Sequence, residues 1–252
     1  MNSVQVIPIL QDNYSYLLPY KGLAIAIDPG QAAPLLEFTS NHNLMISHIL
    51  LTHHHKDHTE GALEIAESHG SFILGPIDAL QDGPVDQALK GGEILEIGSY
   101  VIEVWATSGH TKSHLCFFLP DKNSLFSGDA LFGAGIGRFD HEDSGLLEDM
   151  YLSLQKLTHL PKETKVYPGH EYTLENLAFA HSLEPNNPAI EARKKAHEKR
   201  LKKVPFSIEE EKRTNPFFRL NVPEIQHSLR SFQEKEMQVL QKMRAKKDGF
   251  SQ

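Results

Sequence analysis

The chain of 252 residues contains one cysteine, Cys116, and so cannot close an internal disulfide. A disulfide-stapled secreted fold is therefore excluded. The setting Ser-His-Leu-Cys-Phe-Phe-Leu makes Cys116 read as a small hydrophobe in a buried strand. No apolar stretch approaches the roughly 20 residues that a membrane-spanning helix needs. The N-terminus lacks the basic start and long apolar segment of a secretory leader. Residues 4–9 read as a first strand, and a reducing cytoplasm is the expected compartment. Basic residues are the minority, 25 Lys and Arg against 33 Asp and Glu, for a net charge of -8. That balance argues against a nucleic-acid surface over the whole molecule. The one strongly basic run, 193–203, reads as the solvated face of a helix, with a patch for an anionic ligand as the alternative. There is no repeat of fixed period and no low-complexity tract.

What remains is ordinary globular material, 40% apolar, long enough for one large domain or a domain with a small appendage. Residues 4–9, 14–18 and 23–27 alternate with turn signals as an antiparallel meander closed by Asp28-Pro29-Gly30. Residues 33–39 and 60–69 have helical spacing, and 47–51 is an apolar strand. Extended segments follow at 71–74, 93–97, 100–106, 113–119 and 124–127, then a helix at 146–157 and a short strand at 164–167. From residue 173 the pattern is helical, at 173–181, 188–203, 207–213 and 223–247. The boundary falls near residue 172. An α+β core over 1–172 followed by a helical domain over 173–252 is the expected organisation.

The strongest local signal is Thr52-His53-His54-His55-Lys56-Asp57-His58-Thr59, where an apolar strand empties into imidazoles and a carboxylate. Those donors suit a borderline-soft divalent cation such as Zn²⁺, and also iron or manganese. At an extended strand end His53 and His55 point to one side and His54 to the other, so the first two can share an ion. Asp57 and His58, past a turn at Lys56 and fixed by a helix starting at Thr59 or Glu60, can serve a second position. Each ion needs further ligands. His110, Asp129 and His170 each follow an apolar strand and a small residue or glycine, in Ser108-Gly109-His110, Ser127-Gly128-Asp129 and Pro168-Gly169-His170. Any one alone would be an ordinary polar residue. Together with the cluster they make a two-metal centre. His54 reads as support for the loop, His114 is ambiguous, and the other histidines lack a cluster. Gly133-Ala134-Gly135-Ile136-Gly137 follows a metal motif and reads as a substrate-approach loop, not a dinucleotide fingerprint.

The pattern T-H-x-H-x-D-H followed by separate G-H, G-D and G-H motifs resembles the metallo-β-lactamase superfamily, an αββα sandwich. Within it the chain is most similar to glyoxalase II, the hydroxyacylglutathione hydrolases, over essentially its whole length. Residues 10–14, 128–132, 137–139, 168–173 and the tail 243–248 carry that likeness, and a small helical C-terminal domain belongs to it. The resemblance implies His53, His55 and His110 on one metal, Asp57, His58 and His170 on the other, and Asp129 bridging both. It implies a glutathione site formed by Arg138, Tyr172, Arg244 and Lys247, where cations can hold two carboxylates. The departure from the family lies at Asp140, where an aromatic is usual, and in the acidic segment 141–145.

The activity so implied is hydrolysis of S-D-lactoylglutathione and related 2-hydroxyacyl thioesters by a hydroxide that two divalent ions, zinc before iron or manganese, make available at neutral pH. Asp57 would orient that nucleophile and Asp129 would fix the spacing of the ions. No serine or cysteine nucleophile is required. The expected partner is the thioester itself, with neither nucleic acid nor membrane, and the chain is expected to be a monomer. The alternatives are a mononuclear-iron glutathione persulfide dioxygenase of the same fold, another thioester or lactone hydrolase, a nucleic-acid-processing hydrolase suggested by the basic run, and a non-enzymatic metal protein. A closed structural zinc site would be cysteine-rich, which this chain cannot supply.

Overall fold

The computed structural model describes residues 3–80, 85–140, 142, 144–199 and 203–250. Residues 141 and 143 of the acidic segment and 200–202 of the basic run lie outside the described residues. The chain forms two compact units, one of Met1–Ala106, Ser113–Gly128 and Pro168–Glu171, the other of Thr107–Lys112, Asp129–Tyr167 and Tyr172–Gln252.

In the first unit β1 (Gln5–Ile9), β2 (Asn13–Tyr20) and β3 (Leu23–Ile27) form the expected antiparallel meander. The pairing then turns parallel. Past α1 (Ala32–Asn41) the chain adds β4 (Met45–Leu50), then passes the single turn α2 (Lys56–Thr59) and α3 (Ala62–His69) to β5 (Phe72–Gly75) and a two-residue β6 (Gln87–Ala88). Parallel strands buried on both faces need continuous apolar runs. Ala24 to Ile27 supply one, all four buried. Leu35 of α1 and Ile65 of α3 pack with Ile46, Ile49 and Ile73 of the sheet, each such side chain contributing roughly 1.5–3 kcal/mol on leaving water.

A second sheet runs antiparallel through β7 (Ile94–Ile97), β8 (Tyr100–Ala106), β9 (Leu115–Leu119) and β10 (Ser124–Gly128). Along β7 Leu95 and Ile97 are buried while Ile94 and Glu96 are exposed, the period-two pattern of a sheet with one wet face. The two sheets meet through aromatic pairs. Tyr16 packs edge-on against Phe126, ring centres 5.2 Å apart, and Tyr100, itself edge-on to Tyr20, donates its hydroxyl to the Pro19 carbonyl at 3.0 Å.

The second unit holds α4 (Ser144–Thr158), β11 (Lys165–Pro168), α5 (Thr173–Leu183), α6 (Pro188–Lys199), β12 (Phe206–Ser207), α7 (Ile208–Thr214), α8 (Pro223–Ser228) and α9 (Glu236–Asp248), Pro168 excepted. A capping box between Ser207 and Glu210 starts α7 and accounts for its sharp onset. Among the described residues no helix is long and apolar enough to cross a membrane.

Three expectations change. The helix expected over 223–247 is two helices, because the chain reverses through Arg230 (φ 52) and Gln233 (φ 61), where Ser231 N bonds back to the Gln226 carbonyl at 2.8 Å. No glycine or proline marks that break in the sequence. The basic run is not a uniformly solvated face, since the Arg193 side chain is only 4% exposed and His197 is buried. The turn expected at Lys56, before a helix, is itself helical, so Asp57 and His58 lie inside α2.

Packing around α2 leaves no slack. A Cβ on Gly30 would fall 1.7 Å from the Asp57 carbonyl oxygen. Gly30→Ala is therefore expected to cost about 2–3 kcal/mol of stability by overpacking, measured as a fall in the urea midpoint. An unchanged midpoint would show that the turn gives way freely.

Candidate metal centre

Parallel strands deliver their following loops to one edge of the sheet, and in the first unit β3 and β4 end side by side. Asp28, the residue after β3, takes a left-handed backbone (φ 49), and its amide bonds to the Leu50 carbonyl at 3.0 Å. Its buried carboxylate then has three partners. Oδ1 accepts the Thr52 amide at 2.8 Å, Oδ2 accepts the Thr52 hydroxyl at 2.7 Å, and Oδ2 lies 3.1 Å from His58 Nδ1. His58 is thereby fixed through Nδ1, with Nε2 turned toward Asp57 and His170, as in the carboxylate–histidine pairs that orient metal ligands.

The donors converge from there. His53 Nε2 and His55 Nδ1 lie 3.1 Å apart, although β4 ends at Leu50 and residues 52–54 form a bend instead of the expected extended end. His58 Nε2 faces His170 Nε2 at 3.3 Å, and Asp57 Oδ2 is 3.2 Å from His170 Nε2. One ligand atom from each of Asp57, His58 and His170 falls within 4.8 Å of the others. Imidazole nitrogens and a carboxylate at that spacing fit a divalent ion such as zinc, iron or manganese. The hydrogen bond from His170, with the His58 charge and the Asn13 amide adding to it, holds the Asp57 carboxyl well below the usual carboxylate range, so it is ionised and ready to coordinate.

Second partners order these groups. His170 Nδ1 donates to Asp12 Oδ1 at 2.8 Å, and Asn13 Nδ2 donates to Asp57 Oδ2 at 2.9 Å. His54 stands edge-on to the His55 ring, 5.0 Å between centres, with its Nδ1 3.6 Å from Asp78, which also accepts the Ser113 hydroxyl. His114 is fully buried and stacks on the His53 ring at 5.1 Å.

In the second unit His110 and Asp129 come together at 3.5 Å, Nε2 to Oδ2, with His110 Nδ1 donating to the Arg138 carbonyl at 2.6 Å. Both line a cavity of about 420 Å³ with Phe132, Arg138, Tyr172, Arg244 and Lys247. Tyr172 stands edge-on to Phe132. The cations there already have acidic partners. Asp248 is 3.1 Å from Arg138 Nε and 2.7 Å from Arg244, and Glu175 is 2.7 Å from Lys247 Nζ. Burial pushes the Arg244 guanidinium below its ordinary value, and the adjacent Asp248 opposes that. Asp140 is exposed and its carboxylate accepts the Glu142 amide at 3.0 Å.

Sequence reasoning missed Asp28, Asp12, Asn13 and Asp78 as working side chains. Asp28-Pro29-Gly30 and Asp12-Asn13 carry turn chemistry, which masks carboxylates that reach into the site from turns. For Asp28, a carboxylate directly after an apolar strand was the available signal, the same design that marks Asp129.

Comparison with known proteins places this geometry. Residues 72–170 match the model of the metallo-beta-lactamase superfamily, and 171–250 match that of the hydroxyacylglutathione hydrolase C-terminus. The hydroxyacylglutathione hydrolase of Methylococcus capsulatus is 39% identical, with 99% of each chain covered. Among solved structures, ETHE1 from Myxococcus xanthus is similar at a TM-score of 0.64 and 27% identity, covering 90% of this chain and 89% of that one. TTHA1623, solved in a di-iron-bound form, is similar at a TM-score of 0.55 and 28% identity, covering 66% and 91%. Two sheets with flanking helices, and His and Asp donors gathered at strand ends, thus define a protein of metallo-β-lactamase fold. Within that superfamily the chain belongs to the hydroxyacylglutathione hydrolase family.

Because Asp28 fixes His58 without itself facing the other donors, Asp28→Asn is expected to weaken zinc binding roughly 10–100-fold. Competition with a chromogenic chelator reads the change. Wild-type affinity in that variant would mean that Thr52 and the backbone alone orient the imidazole.

Proposed function

We propose that this protein hydrolyses S-D-lactoylglutathione and related 2-hydroxyacyl glutathione thioesters to glutathione and the hydroxy acid, as a metal-dependent hydrolase of the second step of methylglyoxal detoxification. The observation that carries the reading is the full-length relationship to hydroxyacylglutathione hydrolases, including the match to their C-terminal domain. We assign two ions, zinc first and iron or manganese as substitutes, with His53, His55 and His110 holding one and Asp57, His58 and His170 the other. Asp129 would serve both. The di-iron form of TTHA1623 supports a pair of ions and the acceptance of iron.

When bound, such ions polarise the thioester carbonyl and lower the pKa of a water. The chain's own residues do the rest. Asp57, ionised and steadied by Asn13, is placed to orient the attacking water. Asp12 and Asp28 hold the His170 and His58 rings through Nδ1, so that Nε2 of each is the atom that would ligate an ion. Arg138, Tyr172, Arg244 and Lys247 bind the glutathione portion, its carboxylates exchanging with Asp248 and Glu175 for the cations. Functionally we divide the chain at residue 172, the catalytic part being 1–172 and the substrate-binding part 173–252. We further assign a cytoplasmic monomer that needs neither nucleic acid nor membrane.

The test is thiol release from S-D-lactoylglutathione by purified, metal-analysed protein. Turnover that stops on chelation and returns with zinc is expected. No thiol release with two ions bound would overturn the substrate assignment. One second reading, a mononuclear-iron glutathione persulfide dioxygenase of the same fold, would be established instead by one iron per chain and oxygen uptake with glutathione persulfide.

The cavity makes a separate demand. Arg244→Ala should raise KM about tenfold or more with little change in kcat, since a charge-assisted bond to a remote carboxylate holds ground state and transition state alike. Steady-state kinetics decide it, and an unchanged KM would move the carboxylate contact elsewhere.

A further inference from the structure

Residues 129–138 form a loop closed at its base, where Gly137 N donates to the Asp129 carbonyl at 3.0 Å. A Cβ on Gly137 would lie 2.1 Å from that oxygen and 3.1 Å from the His110 ring, so the base cannot shift independently of the imidazole. At the apex, paired bonds between Phe132 and Gly135 (2.9 and 3.2 Å) tighten the turn, and Ala134 is left-handed at φ 57. A non-glycine residue keeps that conformation only where its surroundings impose it. Glu211 of α7 imposes it here. Its fully buried carboxylate accepts the Ala134 amide with both oxygens, at 3.2 and 3.0 Å. Asn215 Nδ2 donates to Glu211 at 2.8 Å and to the Gly135 carbonyl at 3.2 Å, and Asn176 Nδ2 holds the Gly133 carbonyl at 3.1 Å. Arg193, 2.5 Å from Glu211, balances the charge and donates to Thr214 at 2.6 Å.

A buried ion pair of this kind adds little net stability, because both ions lose their water. What it provides is direction, a fixed acceptor for one backbone amide. The same loop ends at Arg138, whose carbonyl takes the Nδ1 proton of His110 at 2.6 Å. We infer that Glu211, held by Arg193, is a positioning residue that sets the His110 imidazole through the 129–138 loop, so that Nε2 and the Asp129 carboxylate meet at a fixed angle. The inference rests on the proposed assignment of His110 and Asp129 as metal ligands.

The experiment uses the full chain loaded with zinc. Glu211→Asp keeps the charge beside Arg193 but withdraws the carboxylate by one methylene from Ala134. The expected result is a folded protein in which one of two zinc ions binds about tenfold more weakly in chelator competition, and kcat falls about tenfold with KM within about twofold. A role confined to stability would lower the melting temperature and leave zinc affinity untouched. A folded variant with both zinc affinities and kcat within about twofold of wild type therefore overturns the inference. Should Glu211→Asp fail to fold, Asn176→Ala releases the apex at Gly133 with no charge left unpaired. It must then weaken zinc, and wild-type affinity there overturns the inference equally. Zinc affinity is read without substrate, which separates the outcomes. Fewer than two ions on the wild type defeats the ligand assignment itself, and two ions held equally tightly by wild type and variant defeats only the role of Glu211.

Discussion

The first unit depends on one buried carboxylate. Asp28 ends β3, bonds to the amide and hydroxyl of Thr52 at the end of β4, and reaches His58 in α2. Three elements are thus tied by one side chain. Replacing it with an apolar residue would leave the Thr52 amide and the imidazole without an acceptor in a dry interior, a cost of roughly 1–3 kcal/mol for each unsatisfied group. The site and the sheet edge therefore share one support, and neither can loosen alone.

Much of this was legible in the residues. Strands β3 and β8 carry the boundaries expected from their apolar runs, and the His and Asp cluster stands out because a row of imidazoles and carboxylates directly after an apolar strand seldom serves packing alone. The break between α8 and α9 was not, because it is made by Arg230 and Gln233 in left-handed conformations, closed by the Ser231 amide on the Gln226 carbonyl and by Lys242 on the Arg230 carbonyl, with no glycine or proline to signal it. Nor was the burial of Arg193. A guanidinium in a basic run reads as solvated until a partner such as Glu211, eighteen residues on, is known to stand against it. Short strands such as β6 and β12 are defined by the neighbours they pair with, and two residues carry no periodicity.

The cavity of the second unit shows why cations alone are a poor guide to an anion site. Arg138 and Arg244 share Asp248, and Lys247 is paired with Glu175. An arriving carboxylate meets pairs, not free charges, and the gain on binding is the difference between two ion pairs, each partly desolvated. Exposure then separates the two arginines. Arg138, its side chain 76% exposed, can follow a ligand, whereas Arg244 is buried and holds its direction.

The two compact units are not consecutive along the chain. The first is completed only by Pro168–Glu171, which includes His170, and the second has already taken Thr107–Lys112 and Asp129–Tyr167 by then. On the ribosome, therefore, the first unit waits for His170 until all of α4 and β11 has been made. No single cut yields either unit whole, so exchange of one unit between relatives requires several junctions at once.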